Sequence, residues 1–255
     1  MEEHYANLCI DRVISPEYGH IATRRAIEEN PANRKPLANP FEAAAIRSKL
    51  WLPGRTLRVR FLDGHPLMHQ RVSQHALRWC DHANISFDFG DHAEAEIRIS
   101  FMYPGSWSAV GTDALVREYF GPNDPTMNFG WLHTDTPDTE YRRVVLHEFG
   151  HALGLVHEHQ SPSGGMQWNE EAVYQRYSGP PNHWSKETIR RNILHRYDAT
   201  QTQFTQFDPD SIMLYAYPAE LTLDGRSTQW NNDLSTQDIA FIEQLYPRGV
   251  DSSAS

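Results

Sequence analysis

Cysteine is scarce. The chain has two, Cys9 and Cys80, in 255 residues, so it can close at most one disulfide and is not a small scaffold held together by bridges. Cys80 falls in the helical stretch MHQRVSQHALRWCDHA, where a buried thiol is expected rather than a bridge. Long apolar runs are also missing. None approaches the roughly 20 residues needed to cross a bilayer, so no membrane association is expected. The opening MEEHYANLCIDRV is acidic and has no continuous apolar core, unlike a secretory signal. The expectation is a cytoplasmic protein or one exported by a non-classical route. Positive charge is in deficit as well. The formal net charge is −10 and Lys and Arg are scattered, which excludes the basic face that nucleic acid requires. There is no internal repeat and no low-complexity tract.

What remains is ordinary soluble composition, 39% hydrophobic and 22% charged, in a length that fits one large domain or two packed subdomains. A monomer is expected. Ser15-Pro16-Glu17 is a helix start, with a capping residue, proline at the first helical position and an acidic first turn. Asn30-Pro31 ends that helix. Residues 31–40 read as a linker, and a short helix is expected near 41–50. From Thr56 the pattern is α/β. TLRVRFLD alternates as a half-buried strand does, residues 66–83 carry apolar side chains at helical spacing, and Ile85–Phe89, Ala95–Phe101 and Thr126–Leu132 are three further strands. A helix of about fourteen residues, Tyr141–Leu153, follows. Beyond Gly154 two modest helices are expected near Asn169–Tyr177 and Ser185–Tyr197. A last one, Ser235–Leu245, is opened by Ser235 and Asp238 as a capping box.

The chemistry sits in VVLHEFGHALGLVHEHQSP. His147 and His151 are four apart, so on a helix their imidazoles share one face and can chelate one ion. A catalytic zinc needs three protein ligands and one position left for water, so a third ligand must come from beyond the helix. Gly154 tolerates the left-handed backbone that ends a helix and turns the chain, which lets His157 swing back to complete a trihistidine Zn2+ site. With 14 histidines in 255 residues, a bare H-E-x-x-H arises by chance about one time in twenty. Requiring Gly154 and His157 at their offsets lowers this to roughly two in ten thousand. Glu148, between the two helical ligands, is the expected general base, taking a proton from the attacking water and delivering it to the leaving amine. A zinc-bearing protein that grips peptides without cutting them is the alternative, and the intact Glu148 favours the enzyme.

The eleven-residue signature His147–His157 resembles that of the metzincin zinc peptidases, which also carry a methionine turn. Ser211-Ile212-Met213-Leu214-Tyr215 supplies such a turn here. Within that clan the sequence is most similar to the astacin family. Glu158 directly follows His157, Tyr215 follows Met213 by two residues, and GSWSAVG at 105–111 looks like that family's Trp-Ser-x-Val-Gly segment. The likeness spans roughly residues 50–247. The chain departs from the family in lacking its two disulfides, in having Ser106 where a cysteine is usual and Leu214 where histidine is frequent, and in having no Phe-x-Gly-Asp inhibitory motif. This fits a bacterial-type, disulfide-free relative.

The resemblance implies an α+β fold, with a twisted mixed sheet and active-site helix in an α/β-type subdomain over 51–154. A smaller, irregular subdomain with a terminal helix would follow over 155–250, flanked by an N-terminal segment 1–50 and a tail 251–255. It implies a zinc metalloendopeptidase acting on protein or peptide substrates. Tyr215 is expected to bind zinc at rest or to stabilise the oxyanion. Met213 would form an apolar floor beneath the histidines, and Glu158 would orient the site through hydrogen bonds. Substrate is expected to pair as an extended strand along an exposed edge near Thr126–Leu132, with Tyr217 and Pro218 candidates for a pocket wall. The acidic balance favours basic substrates. The N-terminal segment either packs against the back of the sheet or blocks the metal through Cys9 or Asp11, since both side chains can ligate zinc.

Overall fold

A computed structural model describes residues 9, 12, 14–34, 45–46, 48–162, 165–197, 202–203 and 206–249. Its framework is a five-stranded sheet in the order β3-β2-β4-β6-β5. The strands are β2 (Thr56–Phe61), β3 (Ser86–Phe89), β4 (Ile97–Ser100), β5 (Ser106–Ser108) and β6 (Met127–Phe129). β3, β2, β4 and β6 run parallel, and β5 is antiparallel to β6. On β2 the alternation puts Leu57 and Val59 into the core, as a period of two dictates. Every residue of β4 and β6 is buried, the state of inner parallel strands.

Four expectations need correction. β6 lies between β4 and β5, so the strand near Thr126–Leu132 is interior, and the edge strand on that side is β5. Only three residues long, with Trp107 between two serines, β5 carries too short a pattern for periodicity to reveal. The segment 66–83 is an α-helix only over α2 (Pro66–Ala76) and tightens to a 3-10 helix over Leu77–Asp81. Ala45–Ile46 is not helical; it forms β1, antiparallel to β7 (Thr202–Gln203). Residues 35–40 of the linker, residues 41–44 of the expected short helix and the tail 251–255 lie outside the described residues. Finally, the helix expected over Tyr141–Leu153 starts three residues earlier, as α3 (Asp138–Ala152), because Pro137 and the acids Asp138 and Glu140 make a favourable first turn.

α1 (Gly19–Glu29), preceded by a 3-10 turn at Pro16–Tyr18, ends at Asn30 as expected. α4 (Glu170–Ser178) is capped by Asn169, whose side chain accepts from the Ala172 amide. α5 (Lys186–Ile189) passes into a π-helical turn, Arg190–Leu194. α6 (Thr236–Leu245) carries the capping box of Ser235 and Asp238. No helix among the described residues is long and apolar enough to cross a membrane. Neither cysteine is in a disulfide; Cys9 is buried and Cys80 only half-buried.

α3 is buried without a break from Arg143 through Ala152, although that stretch carries two histidines and a glutamate. Its C-terminal carbonyls, which have no partner within the helix, are met by side chains. The Trp51 indole donates to Ala152 O at 2.8 Å and the Tyr246 hydroxyl to Leu153 O at 2.7 Å. The end of the helix is thereby pinned to both flanks of the fold.

Candidate metal centre

Gly154 has φ +93°, and its amide donates to His151 O while the Leu155 amide reaches back to Gly150 O. The helix therefore ends in the left-handed residue that its sequence predicts, and the chain doubles back. His157 returns to the face that carries His147 and His151. All three rings are buried. Each holds its Nδ1 against an oxygen: His147 on Ile212 O at 2.8 Å, His151 on Leu155 O at 2.9 Å and His157 on the Gln160 side-chain oxygen at 3.3 Å. With the proton fixed on Nδ1, the Nε2 lone pairs are left to converge.

They do. His151 Nε2 and His157 Nε2 are 3.1 Å apart, close to the roughly 3.3 Å that two nitrogens must keep on one tetrahedral zinc. His147 Nε2 is buried and has no hydrogen-bond partner among the described residues, a costly arrangement unless an ion occupies the point it faces. Burial, with His151 and His157 beside it, pushes the His147 imidazole well below the ordinary histidine value. This keeps it neutral and able to ligate. One further donor joins the group. Cys9 Sγ lies within 4.8 Å of the three histidine ligand atoms and donates to Glu148 Oε2 at 3.3 Å. Three imidazoles with a thiol are a donor set suited to zinc.

The methionine turn closes the centre from the other side. Met213 is buried under α3, and a Cβ placed on Gly150 would meet its Sδ at 2.5 Å; only glycine lets the helix and turn approach so closely. The turn is held by Asp238, which accepts from the Ser211 hydroxyl and the Ile212 amide, each at 2.8 Å. Tyr215 donates its hydroxyl to Cys9 O at 3.0 Å and also contacts His157 Nε2. Glu158 is buried and reaches no histidine among the described residues. Its carboxylate accepts from the Asp208 amide at 3.0 Å, while its own amide donates to Met213 O. Burial, with Asp238 and Asp208 nearby, pushes its pKa up to about 8. Tyr217 is buried with its hydroxyl on His159, and Pro218 precedes a short 3-10 turn.

Two residues that sequence reasoning did not single out are part of the centre. Gln160 holds His157 and donates to Arg191 O at 2.8 Å. His159, fully buried, stacks on His157 with centroids 5.3 Å apart and contacts Asn192 O. Gln160 carries no sequence signal beyond its place three residues after the third histidine. His159 gave none, because a histidine between Glu158 and Gln160 reads equally well as exposed. Asp11, the alternative blocking residue, lies outside the described residues.

A parallel-sheet α/β half, a helix carrying two histidines, a left-handed glycine, a returning third histidine and a methionine turn define the metzincin class of zinc peptidases. The chain is 42% identical to myroilysin, over 82% of this chain and all of that one, with a TM-score of 0.78, and it belongs to that metalloprotease family, among the metzincins. The hatching enzyme high choriolytic enzyme 1, a zinc protease from the medaka fish Oryzias latipes, has the same fold at 18% identity. That match covers 78% of this chain and 94% of the other, with a TM-score of 0.52. Serralysin B of Dickeya chrysanthemi is 26% identical over 159 residues, 57% of this chain, and the match spans about a third of its length (32%). No family model matches the sequence.

Proposed function

We propose that the chain is a zinc-dependent endopeptidase that hydrolyses peptide bonds in proteins or peptides, with Glu148 as general base. The observation that carries this reading is the convergence of three buried Nε2 atoms, His147, His151 and His157, beside the Glu148 carboxylate. Zinc bound there supplies a Lewis acid that polarises the scissile carbonyl and acidifies water. Glu148 is one helical position from His147 and outside the ligand set. Its carboxylate takes the proton from the attacking water and returns it to the leaving nitrogen. Tyr215, whose hydroxyl is at the same nitrogen cluster, donates to the developing oxyanion. Met213 supports the rings from below, and Glu158 ties the segment after His157 to the chain at Asp208. Glu148→Gln is expected to keep stoichiometric zinc and lose about 10²- to 10⁴-fold in kcat on a general protein substrate. Equal rates in the variant and the parent would refute the assignment and favour a peptide-binding role.

A second reading concerns latency. Cys9 is the blocking residue of the N-terminal segment. Its thiol stands among the ligand atoms and contacts the base, its carbonyl takes the Tyr215 hydroxyl, and its backbone bridges Ser106 of β5. One residue thus engages the metal position, base, oxyanion donor and substrate edge together. In the full-length chain, Cys9→Ala is expected to raise hydrolysis at least about tenfold, since a removed zinc ligand frees a coordination position. An unchanged rate, with zinc still bound, would remove Cys9 from this role.

A further inference from the structure

β5 is the edge strand beside the metal centre, and Cys9 of the N-terminal segment forms a parallel bridge with its Ser106. Three residues beyond Cys9, the guanidinium carbon of Arg12 lies 4.9 Å from the Trp107 ring centroid and 5.9 Å from that of Tyr119. The two rings belong to a cavity of about 380 Å³ that Tyr103, Phe120 and Asp124 also line; among the described residues, Arg12 is the one cationic side chain on its wall. Trp107 is held in place by the pairing of β5 with Asn128 on β6, and Tyr119 packs edge-on against Phe120. Asp124 Oδ2 accepts from the Gly121 amide at 3.0 Å, so the aromatic faces and the one carboxylate are preorganised.

We propose that this cavity is a substrate subsite selective for a cationic side chain, and that Arg12 occupies it as a substrate arginine or lysine would. The inference rests on the endopeptidase reading and adds the specificity that main-chain pairing along β5 cannot provide. The face of an indole or phenol attracts a cation through its quadrupole, by an amount worth about 0.5–2 kcal/mol, and Asp124 favours the same sign. A neutral isostere such as glutamine gains only the contact. A glutamate is repelled by both the ring faces and the carboxylate.

The test uses the full-length, zinc-loaded Cys9→Ala/Arg12→Ala chain, which vacates both the metal position and the cavity. Short fluorogenic peptides carry Arg, Gln or Glu in turn at each of three positions on either side of the scissile bond. At one position kcat/KM is expected to favour Arg over Gln by about 2- to 30-fold, the factor that the interaction energy converts to, and to disfavour Glu. Trp107→Leu is expected to bring the Arg/Gln ratio towards one, whereas Trp107→Phe retains part of it. Because Trp107 is nearly buried, half-buried Tyr119→Leu provides an independent reduction of the ratio if the Trp107→Leu chain does not fold. Peptide affinity is measured in parallel on the same chain carrying Glu148→Gln, where turnover is not needed. Cleavage with no cationic preference at any position overturns the subsite and leaves the endopeptidase reading standing, as does a preference that survives both aromatic replacements. Arg-selective binding without cleavage by the base-intact chain supports the subsite and removes the endopeptidase reading.

Discussion

The residues from 56 to 152 and those from 155 to 249 both deliver side chains of the proposed zinc site to one centre, but by different means. In the first stretch a five-stranded sheet and a fifteen-residue helix set the positions of His147 and His151 through backbone ladders. In the second stretch the described residues hold short helices and a single two-residue strand. His157 and Met213 are placed there by side chains gripping backbone: Asp238 on the methionine turn, Gln160 on Arg191 O, His159 on Asn192 O and Thr228 on Tyr215 O at 2.6 Å. Repetitive hydrogen bonding defines a position without needing a ligand. A web of single bonds around buried polar groups needs all its partners at once, and the metal is one of them.

Removing zinc should therefore hurt the two stretches unequally. Chelation is expected to abolish hydrolysis, and in hydrogen exchange it should cost residues 155–249 more protection than residues 56–152, because locally weak regions open first. His157→Ala is expected to reproduce that pattern and lose stoichiometric zinc. Equal loss of protection in both stretches would show that the second is as self-sufficient as the first.

The web also has a pH signature. Burial, with Asp208 beside it, raises the Asp238 carboxyl from 3.8 to about 6 even though it accepts three hydrogen bonds. The folded chain therefore holds this proton more tightly than the unfolded one. The contribution is fully present below the unfolded value and is lost as pH rises through about 6. A two-unit shift corresponds to about 3 kcal/mol. Comparing urea midpoints of the parent and Asp238→Asn at pH 4 and pH 7, the difference should move towards the variant by roughly that amount. A pH-independent difference would mean that Asp238 titrates like an exposed carboxylate.

The same contrast explains what the sequence discloses. β2, the start of α2, the end of α1 and the C-terminal part of α3 follow from periodicity and caps, and the ligand spacing follows from α3 and Gly154. β5 escapes because three residues cannot display a period, and with it the position of the substrate edge. β1 escapes because its partner, β7, is more than 150 residues away, and local propensity carries no trace of such a pairing. Gln160 and His159 escape because their partners lie in the Arg190–Leu194 turn, which is π-helical and gives no distinct pattern. The second stretch is thus legible in its helix starts, at Asn169 and at the Ser235 cap, and illegible in its tertiary bonds.

Where the stretches touch, propensity and packing can be set against each other. Alanine in place of an exposed helical glycine gains up to about 1 kcal/mol. At Gly150 the new Cβ would come 2.5 Å from Met213 Sδ and 3.4 Å from Trp79, and overpacking of this kind costs about 1–3 kcal/mol. Gly150→Ala is therefore expected to destabilise the chain in thermal unfolding and to weaken zinc retention. A stabilised variant would show that the methionine turn yields freely, so that the two stretches meet loosely.

The smallest effect expected is at Ser235. Its hydroxyl accepts from the Asp238 amide at 2.8 Å and donates to Asp208 Oδ2 at 2.6 Å. It therefore caps α6 and at the same time joins the cap to the carboxylate group behind Glu158. Ser235→Ala removes an N-cap, worth about 1 kcal/mol, and lowers Tm by about 2–4 °C in a chain of this size. If Ser235 were only a helix cap, zinc affinity would stay put. If it belongs to the web, the freed Asp208 loosens the segment that bonds to Glu158, and zinc affinity falls along with Tm. Titrating zinc into the variant against a competing chelator separates the two. A lowered Tm with unaltered affinity would confine the polar web to the turn itself and sever it from the metal.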